Sequence, residues 1–210
     1  YNRIDIEALQ GALVPAADAR SALKLDPQAW IVGNVGRLHP DKDQATLLRG
    51  FAQALPGLPQ GARLAILGKG RLADKLKALA AELGVADQVD FLGQVPDARR
   101  YFAAFDAFAL SSDHEPFGMV LLEAMVAGVP VTATACGGAT EVVEGVGVLV
   151  PLGDANALAR SLQVLSAMND MQRQECHTRM LERLRERFCD EAVRQVFWRL
   201  PQVVALTAEA

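Results

Sequence analysis

Residues 107–134 read AFALSSDHEPFGMVLLEAMVAGVPVTAT, and this pattern decides the fold. Ala107 to Leu110 are an apolar run of strand length. Residues 118–127 are apolar or glycine except for Glu123, and span about three turns if helical. Gly128 and Pro130 then stop the helix, a glycine cap followed by a residue that cannot continue it. Residues 129–134 are the next strand. A strand, a helix and a second strand in this order imply a parallel crossover. The lone acid in the apolar helix demands a partner or solvent, because burying an ionised carboxylate unpaired is very costly.

The alternation extends outward. Upstream, 30–36 (WIVGNVG), 63–67 (RLAIL) and 89–92 (VDFL) read as strands, and 45–55, 72–83 and 98–105 as helices, with Leu47, Leu48, Phe51 and Leu55 at helical spacing. Downstream, 146–150 is a further strand. From Asp154 the β signal gives way to helices at 155–165, 171–188 and 191–200. The expected fold class is α/β: a Rossmann-like, doubly wound, mostly parallel sheet of about six strands, helices on both faces and a helical C-terminal segment. Glu175 stands four residues before Arg179, the favourable order for a helical ion pair on a solvated face. Pro201 ends the last helix, and 202–210 read as a frayed tail.

Composition narrows the class. The 210 residues are 51% hydrophobic, ample for a core, and no internal repeat or linker divides them, so 1–210 is expected to be one domain. Within it, 1–29 form a leading segment with the first helix and 154–210 the closing helices. No apolar run approaches the ~18 residues of a membrane span, and the first residues lack a signal-peptide centre. A net charge of -4 argues against a nucleic-acid-binding surface. Three cysteines without metal spacing point to a reducing, cytoplasmic setting.

The unusual residues gather at the carboxyl ends of the strands. Gly36, Arg37 and Lys42 follow the first, Gly68, Lys69 and Gly70 the second, Gly93 the third, Ser111 to Glu115 the fourth, and Cys136, Gly137 and Gly138 the fifth. Ligands of open α/β sheets bind outside those ends, so distant positions can line one site. Arg37 can fork two phosphate oxygens while Lys42 is a compact positive charge, a pair suited to a diphosphate, although both could be ordinary surface cations. The helix beginning at Gly118 offers backbone N–H groups and a positive dipole end. Glu123 would be satisfied by two vicinal hydroxyls, as on a ribose, or by snorkelling to solvent. Glu115 could accept from sugar hydroxyls or be a plain loop carboxylate.

Other features are weaker. Residues 68–73 fit the dinucleotide fingerprint G-x-G-x-x-A, but follow the second strand, and Asp90 begins rather than closes the next one, against an NAD site. Asp41 and Asp43 lack a third metal ligand. His39, His114 and His177 are isolated, and Cys136 reads as a small buried filler.

Residues 115–131 (EPFGMVLLEAMVAGVPV) and 136–151 (CGGATEVVEGVGVLVP) resemble the signature of retaining glycosyltransferases of the GT-B fold, the group 1 or family four class. Residues 35–52 (VGRLHPDKDQATLLRGFA) resemble the phosphate-contacting segment of that family, and LAILGKGRL with VDFLGQVPD its intervening part. The resemblance covers roughly 2–154. It implies that Arg37 and Lys42 hold the nucleotide diphosphate and stabilise the leaving group, and that Glu115 meets the transferred sugar. It implies too that Phe117, Gly118, Met119 and Val120 form the turn against the donor, that Glu123 meets the ribose, and that Gly93, Gln94 and Val95 edge the base pocket. Arg37, Lys42 and Glu115 are thus the expected catalytic residues, and Gly36 and the others donor-binding ones. Asp43 stands where glycine is common, and TATAC is not the commonest version before the glycine pair.

Such proteins have two Rossmann-like domains, and residues 1–5 resemble the crossing into the second, so an N-terminal acceptor domain is expected to be absent from this chain. The expected function is donor binding in a retaining hexosyltransferase, which moves a hexose from an NDP-sugar, a UDP-sugar first, to a glycan or glycolipid acceptor such as lipopolysaccharide or another surface polysaccharide. The isolated domain is expected to be inactive. No cofactor or metal is expected, the nucleotide-sugar being a substrate. Expected partners are that donor and the missing domain, which would carry any contact with the inner face of the membrane. Competing readings are a stand-alone nucleotide-sugar-binding module, a nucleotide-sugar epimerase and a glycogen-type synthase.

Overall fold

A computed structural model describes residues 3–198, apart from the side chains of 195–197. Six strands, β1 (Ile31–Val35), β2 (Arg63–Leu67), β3 (Val89–Gly93), β4 (Ala107–Leu110), β5 (Val131–Thr134) and β6 (Val148–Val150), form one parallel sheet in the order β3-β2-β1-β4-β5-β6. The chain winds outward from β1 to one edge, returns to β4 beside β1, and winds to the other edge. The order therefore reverses between β1 and β4. A doubly wound sheet opens a crevice at that point, because successive connections depart to opposite sides.

The strands are mostly apolar because both faces are covered. Their period of two separates two cores. Ile31, Ala65, Leu67, Phe108 and Leu110 face one layer, and Val32, Leu64, Ile66, Ala107 and Ala109 the other. The first layer holds α1 (Ile6–Ala12), α2 (Ala16–Ala22), α5 (Met119–Val126), α6 (Gly137–Val143) and α8 (Asp170–Arg187). The second holds α3 (Gln44–Ala54), α4 (Ala73–Glu82) and α7 (Ala155–Ser166). A last helix, α9 (Asp190–Trp198), follows α8. Leu47, Leu48 and Phe51 of α3 are fully buried, as their spacing requires. The stop after α5 is a Schellman motif: Gly128, at φ 76°, donates to Met125, and Val129 donates to Ala124.

Several expectations need correction. Residues Ala98–Ala104 form a 3-10 helix, not an α-helix. The i, i+3 period aligns Phe102 and Phe105, whose rings meet edge-to-face at 5.8 Å, inside the connector that carries the chain from the edge strand β3 back to β4. The glycine pair at 137–138 opens a helix, α6, where a loop was expected. Residues 1–29 contain two helices rather than one, α1 capped by Asp5, which accepts from the Ala8 N–H, and α2. β5 and β6 start two residues later than their apolar runs. Glu175 and Arg179 are both exposed but are not an ion pair, because Arg179 donates to the Gly145 carbonyl. Tyr1, Asn2, the proposed stop at Pro201 and the tail beyond it lie outside the described residues, as do Arg199 and Leu200.

Candidate functional site

The loops after β1 and β4 meet at the reversal point. Residues Pro40–Lys42 make a 3-10 turn, opened by proline, and Asp43 at φ 39° caps α3 by accepting from the Thr46 N–H. The carbonyl of Asp41 accepts from the N–H groups of Asp113 and His114, and Ser111 Oγ donates 2.8 Å to the carbonyl of Lys42. These bonds tie the loops edge to edge. Across them Lys42 Nζ donates to Glu115 Oε2 at 2.5 Å, with side-chain exposures of 18% and 10%. Ser112 Oγ adds a bond of 3.3 Å to the same carboxylate oxygen. Glu115 is thus a buried acid held by a cation and a hydroxyl, not a free loop carboxylate. The part of Ser112 was missed in the sequence; its position three residues before Glu115 is a faint signal.

Glu115 rests on the start of α6. The Gly138 N–H donates 3.0 Å to the Glu115 carbonyl. A side chain on Gly137 would fall on that same carbonyl oxygen, and one on Gly138 would collide with the backbone of Pro116 and Phe117. This close approach, more than turn chemistry, explains the glycine pair. Thr134 Oγ1 and Cys136 Sγ both donate to the Ser112 carbonyl, the thiol at 3.1 Å. Cys136 is buried and acts in the loop's support.

Beside this pair, a cavity of about 230 Å³ runs over the ends of β1, β2 and β3, lined by Gly36, Arg37, Gly68, Lys69, Gln94 and Val95 among others. Gln44 braces it from below, donating to the Arg37 carbonyl at 3.0 Å. Gly93, at φ 67°, accepts from the Gly68 N–H at 2.7 Å and turns the chain into Gln94. The structure therefore brings together Gly36, Arg37, Gln94 and Val95 in one cavity, with Lys42 and Glu115 at the neighbouring strand end.

Glu123 lies elsewhere. With Met119 it lines a separate cavity of about 180 Å³, whose other walls include Arg3, Asp5, Leu9 and Arg99. Arg99 adjoins Ala98 of the first cavity, so the two are neighbours. Burial pushes the Glu123 carboxyl up to about 7, with Arg99 opposing and Asp97 reinforcing the shift. Gly118, at φ 93°, starts α5 with no side-chain cap, which leaves the first turn's N–H groups without one. Phe117 turns its ring to Phe188, edge-to-face at 5.7 Å, and Val120 packs against the core.

The weaker features have structural roles. Asp90 forms a two-bond ion pair with Arg63 at the start of β3, both at 2.7 Å, far from a ribose-binding strand end. His39 pairs with Asp41, His114 is exposed, and burial lowers the His177 pKa beside Gly128. Among the described residues no group of three His, Cys, Asp or Glu side chains could hold a metal. None of the described helices is long and apolar enough to cross a membrane.

The chain is similar to known proteins along most of its length. The family model described as glycosyl transferases group 1 matches residues 16–182. The lipopolysaccharide core biosynthesis glycosyltransferase LpsE of Rhizobium meliloti is 35% identical over 187 residues, which is 86% of this chain and 52% of that protein. The D-inositol 3-phosphate glycosyltransferase of Mycolicibacterium gilvum is 40% identical over 158 residues, 70% of this chain and 34% of that one. Among solved structures, HepE of Anabaena in complex with UDP-glucose superposes with a TM-score of 0.80 at 28% identity, over 100% of this chain and 57% of that one. The sucrose-phosphate synthase of Thermosynechococcus elongatus superposes with a TM-score of 0.78 at 31% identity, over 100% of this chain and 52% of that one. The chain thus spans about half, or less, of the length of these relatives.

Proposed function

The chain belongs to the group 1 glycosyl transferases, and from that premise we propose that it is the nucleotide-sugar-binding half of a retaining hexosyltransferase with a UDP-sugar as donor. The observation that carries this reading is the Lys42–Glu115 contact where the strand order reverses between β1 and β4, beside the cavity that Arg37 lines. The Anabaena neighbour is a complex with UDP-glucose, and the Rhizobium relative is named for lipopolysaccharide core biosynthesis, which supports a UDP-sugar and a surface-glycan acceptor.

The chemistry follows from charge. Breaking the bond between the sugar's anomeric carbon and the diphosphate leaves negative charge on the departing oxygen. Preplaced cations, Arg37 and Lys42, offset that charge as it grows. Glu115 takes the sugar's hydroxyls as hydrogen-bond acceptor. Glu123, with Arg99 opposite, takes the ribose hydroxyls from the adjoining cavity, while Gln94 and Val95 edge the base. Phe117 to Val120 bring the start of α5 against the donor. The acceptor and the catalytic groups facing it belong to an N-terminal domain outside this chain. The setting is cytoplasmic, with any membrane contact made by that other domain, and neither cofactor nor metal enters the scheme.

Calorimetry with UDP, GDP, ADP and NAD tests the site. The expected result is binding of a nucleoside diphosphate, UDP first. Lys42→Ala weakens it more than Glu115→Ala, and Glu115→Ala erases the preference for UDP-glucose over bare UDP. Binding of NAD with none of the three diphosphates would refute the reading.

A further inference from the structure

We propose that Lys69 is a third cation of the donor site, acting on the diphosphate beside Arg37. This inference rests on the nucleotide-sugar reading of the site. No part of the resemblance assigns Lys69 a role.

The first observation is electrostatic. Lys42 is committed to Glu115 at 2.5 Å, and the two charges cancel locally. Arg37 and Lys69 both line the 230 Å³ cavity, no carboxylate lines it with them, and neither side chain makes a hydrogen bond or ion pair among the described residues. A sugar nucleotide carries two negative charges on its diphosphate. Lys42, partly neutralised by Glu115, and Arg37 leave part of that charge unanswered, and Lys69 adds a full positive charge that no carboxylate offsets. Two unneutralised cations on one concave surface raise the local concentration of anions.

The second observation is how the backbone places Lys69. The Gly36 N–H donates to the Leu67 carbonyl at 2.9 Å, and the Leu38 N–H donates to the Lys69 carbonyl at 3.1 Å, so the loops after β1 and β2 continue the strand ladder. A side chain on Gly68 would strike the Gly36 carbonyl oxygen, and one on Gly70 would strike the Leu38 carbonyl. The two glycines that mimic a dinucleotide fingerprint are therefore there for contact between loops. They press the 68–70 loop flat against the 36–38 loop and fix the Lys69 backbone beside that of Arg37. An exposed lysine is ordinarily unremarked; this one is exposed on a backbone with no slack, at the mouth of a cavity that already holds an unpaired arginine.

The test is calorimetry on the 210-residue chain with UDP and, separately, inorganic pyrophosphate, for the parent protein, Lys69→Ala, Lys69→Arg and a charge control, Lys77→Ala on the exposed side of α4. Lys69→Ala is expected to weaken both ligands by the same factor, about three- to tenfold, a range set by exposed ion pairs and charge-assisted hydrogen bonds. Lys69→Arg and Lys77→Ala are expected to stay within about twofold, and 0.5 M NaCl to shrink the difference by screening. Unchanged binding of both ligands in Lys69→Ala overturns the inference. So does a loss for UDP with none for pyrophosphate, which would put Lys69 on the nucleoside, and so does an equal loss in Lys77→Ala. Pyrophosphate binding that depends on Lys69, in a protein that binds no nucleoside diphosphate, would instead sink the nucleotide-sugar reading and leave the cation site standing. Binding of neither ligand would sink both.

Discussion

Replacing Lys42 by methionine and Glu115 by glutamine, singly and together, measures whether the contact at the centre of the site is an energetic unit. At 2.5 Å the pair attracts by about 6–7 kcal/mol at an effective dielectric of about 20, before the cost of drying both groups is subtracted. Side-chain exposures of 18% for Lys42 and 10% for Glu115 make that cost substantial, so the net value is a fraction of the gross one. Lys42→Met leaves the carboxylate with only Ser112 Oγ at 3.3 Å, and the expected loss is about 2–4 kcal/mol, just under the range for breaking a fully buried pair. Glu115→Gln is expected to cost less, about 1–2 kcal/mol, because the more exposed ammonium can turn to water. The double variant recovers part of the loss, with a coupling of about 1–3 kcal/mol. Urea unfolding followed by the fluorescence of Trp30, which is 8% exposed, gives these numbers for each variant. Losses that add to within about 0.5 kcal/mol would refute the reasoning, since uncoupled neighbours behave that way.

Two further predictions follow from burial and packing. Glu123 is raised from its ordinary value of 4.5 to about 7, so the folded chain holds more protons than the unfolded one between those values, and its contribution to stability falls as pH rises through that window. Glu123→Gln should flatten the loss between pH 5 and pH 8 by up to about 3 kcal/mol, read by urea midpoints; a steeper slope in the variant would contradict the shift. Gly138→Ala should cost about 1–3 kcal/mol, because the new methyl overlaps the Phe117 backbone, and should impair UDP-glucose binding more than UDP binding by lifting Glu115. Unaltered melting and affinity in Gly138→Ala would show that the loop yields without consequence.

The strands were legible because they are short apolar runs ended by glycine or polar loops, and β2 and β4 match their sequence bounds residue for residue. The gathering of Arg37, Gln94 and Val95 was legible for the same reason, since all follow strands of one parallel sheet. What could not be read is what depends on neighbours in space. Strand order follows from which side each crossover takes, so the β1–β4 junction was invisible. The Lys42–Glu115 bond joins residues 73 positions apart. Glu123 looked as if it shared the diphosphate's crevice, but α5 turns it to an adjoining cavity beside α1. The glycines at 137–138 suggested a loop because glycine disfavours helices, and only the pressure of the Glu115 backbone on the first turn of α6 explains why it is tolerated there.

The helices after Asp154 carried no site residue in the sequence, yet α8 bears on the site through α6. Arg183 Nε donates 3.0 Å to the Val142 carbonyl, its Nη2 donates to the Glu141 carbonyl, and Arg179 donates to Gly145 just beyond. These are the carbonyls at the end of α6 that the helix itself leaves unsatisfied, and cations there also suit its dipole. α6 is therefore clasped at its C-terminal end by arginines of α8 and loaded at its N-terminal end by the Glu115 loop. A seven-residue helix starting with two glycines has little stability of its own. Its position, and with it the height of Glu115 above the sheet, is set by what grips it, which gives the arginines along α8 a part in placing Glu115 that solvated charges would not have.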